Sequence, residues 1–422
     1  MTNDEIIASN SVRVNDGSGV LVSALSQEYS YVITAAHVLA ESNVIKDRHE
    51  NRLEILSVYK HPDADCAVIK INHVSNTILP TWQTARLAEK ASLTLMGFPN
   101  SNINTATPLK AYTGQLTSFM DGLIVCTLDG GPGQNSIFGM SGGGIYHVHN
   151  GIPYLVGIET RMDDEDQDAR WGRVRCYPLS KFNEIIEDNK LAKILPSFLK
   201  CFSKLKENMF GYNVIEPTNI EKLQEALLKM ADILVEKGLP SPYELMEQYK
   251  ADLLITYDHP EKVQDRELWE AYFEFIIISA LIDDANQVDF TYIKNLERRR
   301  RIMYSSDAAN WIRKLDEILK AAKRMLEKNG TLIVSSPEPD PEMFPPTSKV
   351  SRIVNNITSI PTEGSFLTID NIDHSVYETF VITHLKALRK KCVVRNEELF
   401  VKAGPGTGQL KLFRTFYNEI IK

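Results

Sequence analysis

Six short apolar runs before Tyr177, each bounded by turn residues, constrain this chain more than any other feature. They are GVLVSAL, YVITAAHVL, CAVIKI, LTLMGF, GLIVCTL and YLVGIET. Runs of this length and spacing predict short strands, and many short strands in succession predict a sandwich or a barrel. Near Leu179 the pattern changes. SKFNEIIEDNKLAKIL carries apolar residues at helical spacing, and the stretch EPTNIEKLQEALLKMADILVEKGLP carries them more strongly. There Thr218 and Glu221 have the spacing of a capping box, and Gly238-Leu239-Pro240 ends the run. Further helices are expected over about Ser241 to Tyr257, Glu267 to Ile282 and Asn310 to Lys328.

The remaining organisation follows from punctuation. SSPEPDPEMFPPTS, Ser335 to Ser348, is proline-rich and predicts an extended linker or a loop laid on a surface. After it, SVYETFVITHLKALRKK predicts a helix and CVVRNEELFVKA a strand. The expected division is residues 1–190, β-rich; 191–334, an α-helical regulatory or interaction domain; 335–350, a Pro-rich linker; and 351–422, a small mixed α/β domain.

Charge and cysteine usage narrow the class. A net charge of −8 argues against bulk electrostatic binding of nucleic acid. The five cysteines, Cys66, Cys126, Cys176, Cys201 and Cys392, form no CxxC pair, so neither a zinc site nor a disulfide framework is predicted. The N-terminus lacks a basic start followed by an apolar core, so no secretory signal is expected. LWEAYFEFIIISALI, from Leu268, is too short and too acidic for a membrane span and predicts a buried helix. Reduced thiols and a cytoplasmic location are the expectation.

One constellation carries chemistry. GMSGGGIY places Ser141 among glycines, where backbone can approach a substrate closely. Upstream, VITAAHVL sets His37 at the end of an apolar strand, and HPDADCAVIKI offers Asp65 just before another. Asp63, two residues earlier, is a decoy acid. Each motif in isolation is more often a turn or a packed histidine. Three of them in the order His, Asp, Ser, each at a strand edge, are a different matter.

At these residues the first 185 or so positions resemble the trypsin-like serine proteases, closest to small bacterial HtrA-type domains. GSGVLVS with VITAAHVL resembles their opening strands, DCAVIKI their acid segment, GMSGGGIY their G-x-S-G-G, and LVGIE their cleft strand. The resemblance implies an all-β double barrel over residues 1–190 within a multidomain α+β chain. It implies that Ser141 attacks the scissile carbonyl, His37 moves the proton, and Asp65 fixes the imidazole tautomer. The amides of Gly139 and Ser141 would hold the oxyanion, each such donor being worth about 3 kcal/mol in the transition state. Asn135, Thr160, Arg161 and Met162 fall where family members contact substrate, Asn135 at the base of the primary pocket. No cofactor and no metal are required by such a triad.

The chain departs from the family in two places. Met140 stands where proteolytically activated trypsins carry an aspartate, so simple N-terminal cleavage is not the expected switch. Val38 replaces the cysteine of their neighbouring disulfide, in keeping with a reducing compartment. The run Asp163, Asp164, Glu165, Asp166, Asp168 reads as a solvated acidic loop, or as a cleft rim attracting basic peptides.

Two other motifs are weighed and set aside. AGPGTGQL lacks the lysine of a phosphate loop and reads as a turn. Arg298 to Arg301 reads as a solvated helix end or an ion-pair patch before it reads as a nucleic-acid contact. The expected partners are a protein or peptide substrate and regulatory proteins docking on the C-terminal half. A homo-oligomer is compatible with the sequence, and no membrane or nucleic-acid partner is expected. The fusion resembles effectors of bacterial conflict and anti-phage systems. The competing expectation is a protease-fold scaffold that binds peptides or partners without useful turnover.

Overall fold

The computed structural model describes residues 2–75, 79–149, 151–162, 172–256, 260–359, 379–404 and 406–421. The chain divides into two compact units, Met1–Lys200 and Cys201–Lys422.

The first unit opens with helix α1 (Asn3–Asn10), held by a capping box between Thr2 and Glu5. Seven strands follow: β1 (Ser11–Val14), β2 (Gly17–Ser23), β3 (Tyr29–Thr34), β4 (Ile45–Lys46), β5 (Arg52–Leu53), β6 (Ile55–Lys60) and β7 (Ala67–Asn72). They form one antiparallel sheet in the order β5-β4-β1-β2-β3-β7-β6. Six more, β8 (Ser92–Gly97), β9 (Lys110–Met120), β10 (Leu123–Leu128), β11 (Gly144–His149), β12 (Ile152–Met162) and β13 (Arg173–Pro178), close into a barrel. A short helix, α2 (Gln134–Ile137), sits between β10 and β11.

The expected double barrel is therefore corrected to one closed barrel and one open seven-stranded sheet. The edge strands β5 and β6 are consecutive in the chain, separated only by Glu54, yet they share no hydrogen-bonded ladder. The barrel interior is filled by Leu95, Ile124, Cys126, Ile145, Val156 and Val174, all buried. Burying each such aliphatic side chain contributes about 1.5–3 kcal/mol. Helix α3 (Leu179–Asp188) has an apolar face, Phe182, Ile185 and Ile186, which packs with Tyr31, Leu155 and Ile158.

The second unit mixes helices with a small sheet. Its helices are α4 (Glu221–Glu236), α5 (Pro242–Tyr249), α6 (Arg266–Asp283), α7 (Phe290–Arg299), α8 (Leu315–Met325), α9 (Thr347–Ser359), α10 (Leu385–Cys392), α11 (Glu397–Lys402) and α12 (Thr407–Asn418). Its strands β14 (Arg300–Tyr304), β15 (Thr331–Ser335) and β16 (Val381–His384) form a parallel sheet in that order. The wholly helical middle region expected over 191–334 is thus corrected, because β14 and β15 lie inside it. Both strands are buried along their whole length, the pattern of a parallel sheet covered by crossover helices.

Other local expectations change too. Thr218 does not cap α4, whose N-cap is Ile220 without a side-chain bond; Thr218 lies in a 3-10 turn, Pro217–Asn219. The capping box in this region is Ser241 with Glu244, at the start of α5. Of the strand expected over Cys392 to Ala403, Cys392 ends α10, Val394–Asn396 is a 3-10 turn and Glu397–Lys402 is helix α11. Of the helix expected from Ser375, residues 375–378 lie outside the described residues, and Val381–His384 is strand before α10 begins.

The proline-rich segment joins β15 toward α9 and is held in place. The Trp311 indole donates to the Glu342 carbonyl at 3.0 Å, the Trp311 amide donates to Glu338 at 3.0 Å, and the Lys386 ammonium donates to the Glu338 carbonyl at 3.0 Å. Helix α6 is buried nearly all round and includes Glu274, whose side chain is 0% exposed. Arg389 of α10 answers that charge with two hydrogen bonds from its guanidinium. No described helix is long and apolar enough to cross a membrane. The four-arginine cluster is an ion-pair patch: Arg298 meets Glu327, Arg299 and Arg300 share Asp283, and Arg301 meets Glu297.

Candidate active site

His37 sits in a single 3-10 turn, Ala36–Val38, directly after β3. Asp65 lies in the loop before β7, the strand that pairs with β3, so sheet pairing brings the two side chains together. The His37 ring meets Asp65 through Nδ1 at 2.6 Å, and the His37 amide donates to the other carboxylate oxygen at 2.8 Å. Asp63 is exposed and makes no such contact with His37. Its own amide donates to the His61 ring at 3.1 Å, which fixes the turn.

Thr160 supplies a third hydrogen bond to Asp65 through its hydroxyl. Burial works against the Asp65 charge, but the hydrogen bonds from the His37 ring, Thr160 and the His37 amide outweigh it and hold its pKa at about 2. An ionised Asp65 accepts from Nδ1–H, which leaves the Nε2 lone pair as the basic position of the ring.

The Ser141 turn is pinned from several sides. The Ser18 amide donates to the Ser141 carbonyl at 2.8 Å, and the Ser18 hydroxyl donates to the Gly139 carbonyl at 2.9 Å. The Gly142 amide donates to the Glu159 carbonyl at 2.8 Å, and the Glu159 amide donates to the Gly143 carbonyl at 2.8 Å. Gly139 and Gly142 have φ of +96° and +90°, a region that disfavours side chains. A Cβ on Gly142 would lie 2.0 Å from the Ser18 carbonyl oxygen. Among the described residues, the amides of Gly139 and Ser141 donate to no backbone acceptor. These are the two donors expected at an oxyanion position.

The Ser141 hydroxyl donates to the Thr160 carbonyl at 3.2 Å and shares no hydrogen bond with His37 among the described residues. His37 and Asp65 are therefore brought together, and the Ser141 hydroxyl is turned to a neighbouring carbonyl.

The remaining expected residues differ in exposure. Asn135 is exposed on α2, Arg161 is exposed, and Met162 packs partly against the barrel core. Thr160 is buried, its hydroxyl engaged by Asp65. The acidic run Asp163 to Asp168 lies outside the described residues. Among the described residues no group of three or more His, Cys, Asp or Glu side chains is arranged to hold a metal.

Two residues at the site were not anticipated. Ser18, fully buried, links β2 to the serine turn and also accepts the Phe98 amide at 2.8 Å. Glu159 is 2% exposed, next to Ser141 and Asp65. Its signal was present in the sequence as a glutamate inside the apolar run YLVGIET. The register of β12 against β13 shifts between Glu159 and Arg161, and Glu159 and Thr160 are the last two of eight consecutive buried residues on that strand.

Fold and site together define the class: a two-unit α+β chain that presents a histidine, two carboxyl groups and a serine on a barrel and its adjoining sheet. Residues 176–394, just over half of the chain, match the family CTD4, C-terminal domain 4 of the ABC-three component (ABC-3C) systems. The chain belongs to that family. No curated protein matches it. Among solved structures it is similar to a serine endoprotease from Yersinia pestis, at 20% identity and a TM-score of 0.35, over 44% of this chain and 66% of that one. It is also similar to the HtrA-type protease AlgW with tripeptide, at 17% identity and a TM-score of 0.35, over 44% of this chain and 61% of that one. In both cases it spans less than two thirds of the other protein's length.

Proposed function

We propose that this chain is a serine endopeptidase whose first unit hydrolyses peptide bonds and whose second unit docks it within an ABC-three component system. The observation that carries the catalytic part is the two-point contact of His37 with Asp65, at 2.6 and 2.8 Å, beside Ser141. In this reading His37 Nε2 accepts the Ser141 proton as Oγ attacks the scissile carbonyl, then returns it to the leaving amine. Asp65 stabilises the imidazolium that forms between those steps. The amides of Gly139 and Ser141 receive the oxyanion. Asn135, Arg161 and Met162 are carried forward as substrate contacts. The name of the matched family describes a multi-component system, which supports partner proteins; a role in bacterial defence is carried forward as part of the proposal. A cytoplasmic location, with all five cysteines free, belongs to the same reading.

One observation favours a second reading. Because the Ser141 hydroxyl is turned to the Thr160 carbonyl, a scaffold that binds peptides without turnover is the alternative. Peptide-library profiling of the wild type and Ser141→Ala separates the two. Cleavage lost in Ser141→Ala supports the peptidase. Equal peptide binding by both proteins, with no cleavage in either, supports the scaffold.

A further inference from the structure

Glu159 is a buried carboxyl beside the nucleophile that the triad does not use. Its Oε2 is buried and has no hydrogen-bond partner among the described residues. The titratable groups that face it are Asp65, from the loop before β7, and Cys176, its cross-strand partner on β13. Neither is a cation. Among the described residues the Ser141 hydroxyl also faces it, and a hydrogen bond from that hydroxyl favours the carboxylate form.

An anion here is opposed first by burial and then by the Asp65 charge, and the Glu159 pKa is pushed up to about 8. At neutral pH the carboxyl therefore carries a proton. Serine has a single O–H, and that of Ser141 is directed at the Thr160 carbonyl. In this rotamer a hydrogen bond between the two side chains has Glu159 as donor and Oγ as acceptor. Once Glu159 ionises the polarity reverses, because a carboxylate only accepts.

We propose that Glu159 is a positioning residue for Ser141: neutral, it donates to Oγ and leaves the serine proton for His37; ionised, it accepts that proton's hydrogen bond and holds the hydroxyl off the ring. This rests on the proteolytic reading. It places a second control on the nucleophile, separate from Asp65, on the strand that also carries Thr160.

The test is the pH dependence of the second-order rate of fluorophosphonate labelling at Ser141, in the full chain and in Glu159→Gln, corrected for reagent hydrolysis. The wild-type rate should fall about tenfold per pH unit once Glu159 has ionised. Glu159→Gln, which cannot ionise, should show no such fall, whatever its rate at neutral pH. If both proteins label and their profiles superimpose, the inference fails and the peptidase stands. If the wild type labels at no pH, the peptidase fails and takes the inference with it. A second measurement needs only wild type and Ser141→Ala. The infrared band of the protonated carboxyl should titrate in the wild type, with its midpoint displaced in Ser141→Ala; an undisplaced midpoint overturns the proposal.

Discussion

The Ser141 hydroxyl donates to the Thr160 carbonyl at 3.2 Å, while the Thr160 side chain donates to Asp65. One residue thus holds the nucleophile through its backbone and the acid through its hydroxyl. Thr160 lies at the register shift of β12 against β13, at the end of the buried part of that strand.

Removing the second of those contacts should weaken the base. Thr160→Val keeps the shape and deletes the hydroxyl. A hydrogen bond to a charged group is worth about 1.5–3 kcal/mol. The labelling rate at Ser141 should therefore fall on the order of 10- to 100-fold. An unchanged rate would mean that Asp65 needs only His37.

Gly142 has no room for a side chain. Its φ is +90° and a Cβ would meet backbone at 2.0 Å. Gly142→Ala should lose about 3 kcal/mol in urea unfolding of the full chain, from strain plus overpacking. Loss below about 0.5 kcal/mol, the range of ordinary surface changes, would contradict the close packing of Ser18 on the serine turn.

In the second unit, Arg389→Met would leave Glu274 buried without its counter-charge. Breaking such a pair from one side costs about 3–5 kcal/mol. Adding Glu274→Gln should recover most of it, because the amide oxygen can still accept the Phe210 amide that Glu274 accepts at 3.3 Å. Thermal unfolding of the two variants reads the difference; equal losses would contradict the pairing.

Glu159 also predicts a pH-dependent stability. Its folded pKa is raised from 4.5 to about 8, so the folded chain binds the extra proton across that window. The stabilisation is complete below the unfolded pKa and is lost as pH rises through the folded one, by up to about 1.4 kcal/mol per pH unit. Urea unfolding at several pH values should show this slope in the wild type and not in Glu159→Gln.

Much of the site was legible because the nucleophile, base and acid each follow or precede an apolar strand. Strand ends fix a side chain, and the run before His37 and the run after Asp65 proved to be the neighbours β3 and β7. Glu159 was harder, since β12 is buried continuously from Pro153 to Thr160 and the two-residue alternation that separates inward from outward positions does not mark it. The barrel was expected, but closure of the first sheet was not decided by strand count. Strand β16 was read as part of a helix because short buried apolar runs look alike in either state, while β14 and β15 had no assignment of their own within a region read as a helical domain. Thr218 failed as a cap because Pro217 opens a 3-10 turn that absorbs it.

The central claim is that His37, Asp65 and Ser141 act as one nucleophilic unit. Tandem mass spectrometry after fluorophosphonate treatment tests it most directly. The account predicts an adduct on Ser141 in the wild type, formed roughly a thousandfold more slowly in His37→Ala. An adduct formed equally fast without the imidazole, or none on Ser141 at any pH or with any partner present, would contradict it.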